Sequence, residues 1–99
     1  MFPKPAKGTT KKLRHRKYEN GLKRWRDAVW ARDGWLLYGK TCGTCKRCGS
    51  MVTRGVDGEV DHIKPRSTHP ERRYEPSNGR IVCSVCNRYL KTHPLEREA

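Results

Sequence analysis

Two C-x-x-C pairs, Cys45-Lys46-Arg47-Cys48 and Cys83-Ser84-Val85-Cys86, stand out in a chain of 99 residues that holds five cysteines. In a knuckle, the two-residue gap lets both sulfurs converge on one ion at about 2.3 Å, and four thiolates complete a closed tetrahedral zinc site. An odd cysteine count with this spacing favours metal over a disulfide framework. Cys42 forms an overlapping pair with Cys45, so the register is open. Cys45 with Cys48 is preferred, because Gly49 directly after Cys48 suits the tight knuckle turn, and Cys42 is then a free thiol. One structural Zn²⁺ is therefore expected. Between the knuckles, "VDHIKP" at 60–65 sets Asp61 beside His62. Taken alone, such a pair is an ordinary surface ion pair.

The order of residues changes that reading. A C-x-x-C pair is followed by Asp61-His62, then Asn78, then a second C-x-x-C with Asn87 directly behind it. With "CKRCG", "VDHIKPRS", "SNGRIVCSVCN" and the "RDG" at 32–34, the chain over about residues 25–92 resembles the HNH nuclease family, the ββα-metal or His-Me finger nucleases. The form it resembles is the one braced by a four-cysteine zinc, in the variant with Asn at the last motif position. The resemblance implies that His62 is the general base and Asp61 a ligand of a single catalytic divalent metal. It further implies that Asn78 orients the base and that Asn87 is the second protein ligand. A His near neutral pKa can take a proton from water at pH 7, and an amide oxygen on its other ring nitrogen would fix the tautomer. A carboxylate and an amide oxygen are hard ligands suited to Mg²⁺ or Mn²⁺. The implied products carry 5′-phosphate and 3′-hydroxyl ends. Lys91 departs from the pattern by standing four rather than three residues after the last motif position, and His69 and His93 lie outside it.

These residues need elements to hold them. Residues 1–17 carry Lys or Arg at 4, 7, 11, 12, 14, 16 and 17, no acid and two prolines, and read as a disordered basic arm. Residues 18–99 read as one nuclease domain with its motif core at about 42–93. "YENGLKRWRDAVWARDG" at 18–34 places Leu22, Trp25 and Val29 at helical spacing, with Asn20 as N-cap and Gly34 as C-cap. Trp25 and Trp30 belong to its core face, and Lys23, Arg24 and Arg26 to a basic outer face. Two short strands are expected near the first knuckle and a third ending around Ile63. Because consecutive strand residues point to opposite faces, Asp61 and His62 can share a site only if that strand ends or distorts there. Residues 67–79 read as a polar loop, "RIVC" as a returning strand, and "SVCNRYLKTH" as a short helix capped by Ser84 and stopped by Pro94. Cys86 and Asn87 would then sit about 100° apart on one helix, so that the zinc aims the second metal's ligand. The fold class is a small, metal-stabilised α+β domain: a ββα-metal core with zinc knuckles, preceded by an amphipathic helix and a basic arm.

Composition agrees with a stapled domain and a polyanionic partner. Only 33% of residues are apolar, and mean hydropathy is −1.03, so a large hydrophobic core is excluded. Lys and Arg outnumber Asp and Glu by 23 to 10, for a net charge of +13, which attracts nucleic acid. An anionic membrane competes as partner, but the longest apolar run is "WLLY" at 35–38 and there is no signal-peptide pattern, so the expectation is a soluble intracellular protein. Arg66, Arg80 and Arg88 flank the motif and are candidates for phosphate contacts, with Lys23, Arg24 and Arg26 on the helix. The leading expectation is a metal-dependent DNA endonuclease that nicks or cuts. The alternatives are a non-catalytic zinc module binding DNA or RNA, and a decayed nuclease that only binds. So small a chain leaves sequence specificity low or supplied by a partner protein. A monomer can nick, whereas a double-strand cut needs a homodimer or two events.

Overall fold

The computed structural model describes residues 6–93 and Glu96, with the backbone alone for residues 6–18. Residues 1–5, the start of the expected arm, lie outside the described residues, as does Pro94, the expected helix stop. In chain order the elements are α1 (Ala6–Asp33), β1 (Trp35–Leu37), β2 (Lys40–Thr44), β3 (Met51–Thr53), β4 (Gly58–His62), β5 (Gly79–Cys83) and α2 (Ser84–Lys91). β1, β2 and β3 form one antiparallel sheet, and β4 and β5 a second. Among the described residues no helix is long and apolar enough to cross a membrane.

α1 begins earlier than expected. Its helical backbone starts at Ala6 rather than Tyr18, which puts Asn20 inside the helix instead of at its cap. Lys and Arg are good helix formers, so the basic run can continue the helix. The C-terminus falls where expected: the Gly34 amide donates to the Trp30 carbonyl at 2.8 Å. Leu22, Trp25, Val29 and Trp30 all point into the core, against Val52, Ile81, Val82 and Leu90. The Trp stripe is core, as its spacing implied.

β1 escaped the sequence reading because it is three residues long and exposed. It joins β2 through Tyr38 (φ 50°) and Gly39 (φ 77°), two left-handed residues that make the turn best matched to strand twist. The first knuckle follows β2. There the Gly49 amide donates to the Cys45 carbonyl at 2.9 Å with Gly49 at φ 81°, the conformation its position after Cys48 called for. α2 starts at Ser84, but its N-cap is Cys83, whose sulfur accepts the Cys86 amide at 3.3 Å. The expected Ser84 cap is corrected: the sulfur of Cys83 does the capping, one residue earlier.

β4 and β5 pair in regular register from Gly58 opposite Cys83 to His62 opposite Gly79. His62 is the last residue of β4, so the strand ends at the Asp61-His62 pair as the shared site required. The chain then leaves for a loop over residues 63–78 containing two single-turn 3₁₀ helices, Pro70–Arg72 and Pro76–Asn78, each opened by its proline. Gly79 brings it back under α1. A Cβ there would lie 2.6 Å from Val29 Cγ2 and 2.9 Å from Trp25 Cζ2, both in the packed core. Gly79→Ala is expected to lower stability by about 1–3 kcal/mol, measured by chemical denaturation of the zinc-loaded protein.

Candidate active site

The four cysteines of the two C-x-x-C pairs meet at one point. The sulfurs of Cys45, Cys48, Cys83 and Cys86 all lie within 4.8 Å of one another, and Cys48 and Cys83 are 3.8 Å apart. A tetrahedron with bonds of about 2.3 Å has edges of about 3.8 Å, so the cluster has zinc dimensions. Cys42 is buried on β2, 3.8 Å from Thr53 Oγ1 and outside the cluster, which resolves the register in favour of Cys45 with Cys48. Hydrogen bonding to Ser50 holds the Cys48 thiol down at about 6, whereas burial pushes Cys86 up to about 12. The Arg47 guanidinium donates to Cys86 Sγ at 3.4 Å, offsetting part of that burial and providing a fixed positive partner for thiolate charge. The donor set fits a soft, borderline cation.

His62 is fixed from two sides. Its ring lies on Trp25 with centroids 3.9 Å apart and planes 10° from parallel, and its Nε2 is 2.9 Å from the Arg73 carbonyl oxygen. A carbonyl can only accept, so Nε2 carries the proton and Nδ1 is the basic nitrogen of the neutral ring. The return of this loop into β5 is held by α1 at three carbonyls. Trp25 Nε1 donates to the Glu75 carbonyl at 2.8 Å, and Arg32 donates to those of Pro76 and Gly79, each at 2.9 Å.

Asn78 acts at one remove from the ring. It is 2% exposed; its Oδ1 accepts the Lys64 amide at 2.8 Å, and its Nδ2 donates to the carbonyls of Lys64 at 3.2 Å and Arg72 at 3.1 Å. The direct amide-to-imidazole bond expected from the sequence is thus replaced: Asn78 pins both ends of the loop, and the loop's Arg73 carbonyl holds the ring. Asn78→Ala would leave those buried groups without their partner and is expected to cost about 2–3 kcal/mol. Hydrogen exchange should show protection lost at the Lys64 amide before any change in the strands.

Asp61, His62 and Asn87 line one open cleft of about 390 Å³, with Arg26, Arg66 and Lys91 around them. Asp61 is buried and lies 3.6 Å from Arg80, its neighbour across the strand pair. Asn87, on the first turn of α2, gives its Nδ2 to Glu59 Oε1, which leaves its Oδ1 for another partner. A buried carboxylate and an amide oxygen on one cleft are the donor set a hard divalent cation takes.

Residues 45–92 match the family model for HNH endonuclease. This segment belongs to the HNH family. No curated protein and no solved structure gives a significant match. The HNH segment starts at the first cysteine of the four-sulfur cluster and ends just past α2, so it contains the four cysteines, Asp61, His62, Asn78 and Asn87. α1 and the "RDG" at 32–34 lie outside it, although α1 supplies one wall of the HNH cleft through Leu22, Trp25 and Arg26.

The remaining residues picked out from the sequence divide clearly. Arg26 and Arg66 reach the HNH cleft; Lys23 pairs with Asp27 at 3.1 Å, Arg24 lines a separate shallow pocket beside Tyr74, and Arg88 is exposed on α2. Arg80 is committed to Asp61 rather than turned outward, with its side chain only 18% exposed. His93 stacks on Tyr89 at 3.8 Å, away from Asp61 and Asn87. The sequence reading missed Trp25 as the support of the base, Glu59 as the partner of Asn87, and the Arg73 carbonyl. Glu59 alone carried a signal, because it lies two residues before Asp61 and so on the same strand face.

Proposed function

We propose that the protein is a metal-dependent DNA endonuclease that hydrolyses a phosphodiester bond to 5′-phosphate and 3′-hydroxyl ends. The observation that carries this reading is the meeting of Asp61, His62 and Asn87 on one cleft, with the His62 tautomer set by the Arg73 carbonyl.

In this reading His62 Nδ1 takes a proton from a water molecule as its oxygen attacks phosphorus, and the bond to the 3′ oxygen breaks. The Trp25 stack and the Arg73 carbonyl hold the ring still, so the base does not have to be ordered during the reaction. Asp61 and Asn87 would hold Mg²⁺ or Mn²⁺, which when bound neutralises charge on the phosphate and on the departing oxygen. Arg26, Arg66 and Lys91 surround the cleft and suit neighbouring phosphates. Cys45, Cys48, Cys83 and Cys86 would hold a structural Zn²⁺ that fixes the start of α2 and with it Asn87. The +13 net charge supplies sequence-independent affinity for the backbone.

The test is to incubate supercoiled plasmid and zinc-loaded protein with Mg²⁺ or Mn²⁺ and follow conversion to the open circular form. The expected nicks are closed by DNA ligase, which requires 5′-phosphate and 3′-hydroxyl ends. Absence of nicking with either ion, DNA binding being retained, would leave a zinc module that only binds.

A further inference from the structure

Asn87 is a poor choice of metal ligand unless something decides which way its amide faces. The two ends of the group have nearly the same shape, but one presents a lone pair and the other two N–H bonds, so a reversed amide turns its hydrogens toward the cation. Glu59 removes that ambiguity. It stands on β4 opposite Val82, its carboxylate can only accept, and it takes the Nδ2 end of Asn87. The two ends of a planar amide diverge from the same carbon, so binding one to Glu59 directs Oδ1 away from it. Asp61, two residues further along β4, lines the cleft together with Asn87.

Resting on the reading of Asn87 as a ligand of the divalent ion, we infer that Glu59 is a positioning residue: it locks the Asn87 amide oxygen-inward and raises the affinity of the site for a hard cation. The carboxylate also polarises the amide, which makes Oδ1 a better donor to a cation. Glu59 is exposed on the strand surface and outside the core, so its substitution leaves the fold and the zinc cluster intact.

The experiment is a Mn²⁺ titration of zinc-loaded protein followed by electron paramagnetic resonance, without DNA. Mn²⁺ competes poorly with Zn²⁺ for thiolates, so the signal reports the oxygen site. Glu59→Ala is expected to weaken Mn²⁺ binding by about tenfold. Glu59→Gln keeps an acceptor oxygen for Nδ2 and is expected to stay within about threefold of the parent, since hydrogen bonding rather than charge does most of the orienting. In an Asn87→Asp background the ligand has no N–H to give, so adding Glu59→Ala should leave binding unchanged or tighten it. Equal affinity in parent and Glu59→Ala, an equal loss in Glu59→Gln and Glu59→Ala, or the same tenfold loss in the Asn87→Asp background would each overturn the inference. If the parent chain binds no Mn²⁺ at all, the assignment of Asn87 as a metal ligand falls first.

Discussion

His62→Ala is expected to bind plasmid as the parent does and to nick it about 10²- to 10⁴-fold more slowly, the range a positioned general base contributes. The loss should appear in the rate at saturating DNA and metal, because the ring contributes to proton transfer and not to holding the backbone. Its removal also uncovers a face of Trp25 and releases the Arg73 carbonyl, so a modest fall in melting temperature should accompany it. That fall is separable. The melting temperature and zinc content of the variant are measured beside the rate, and a variant that stays folded with its zinc but still nicks as fast as the parent would defeat the assignment of His62.

The second large effect concerns folding. Cys86→Ser or Cys83→Ser is expected to abolish cooperative unfolding and the single zinc per chain, whereas Cys42→Ser keeps both. Structural zinc contributes about 10–16 kcal/mol in zinc-finger peptides, while a domain this size has a total stability of about 5–15 kcal/mol. The buried core of eleven apolar residues among the described ones, three of them cysteines, cannot replace that contribution. Cys42 is equally buried, but its sulfur faces Thr53 Oγ1, so a serine hydroxyl there has a ready partner. Metal analysis and thermal melts by circular dichroism decide the matter; equal behaviour of the Cys42 and Cys86 variants would refute the cluster as the source of stability.

Legibility from the sequence followed the range of the interactions. The knuckles were readable because a C-x-x-C gap and a following glycine are local, and Gly49 adopts the left-handed φ that its place demands. α2 and β5 were readable for the same reason, although the N-cap of α2 falls one residue earlier than read and its last helical residue is Lys91 rather than His93. The support of His62 was not, since the Arg73 carbonyl is eleven residues away and a backbone oxygen has no signature among side chains. Trp25 was read as core and is core; burial accounted for it fully, so nothing in its spacing asked for a second role against the imidazole. The fate of Asn78 shows the same limit. Its type and place were legible, but whether it touches the ring or the loop around the ring depends on how the residues between His62 and Asn78 fold back.

Four contacts of that fold-back are made by oxygen atoms of the peptide chain. Arg73 meets His62, Arg72 meets Asn78, Glu75 meets Trp25 and Pro76 meets Arg32, in every case by a carbonyl. A carbonyl is common to every residue type, so these four contacts themselves require no particular side chain. The hold on the imidazole thus passes through a peptide oxygen, while the side chain that fixes the path of that peptide is Asn78.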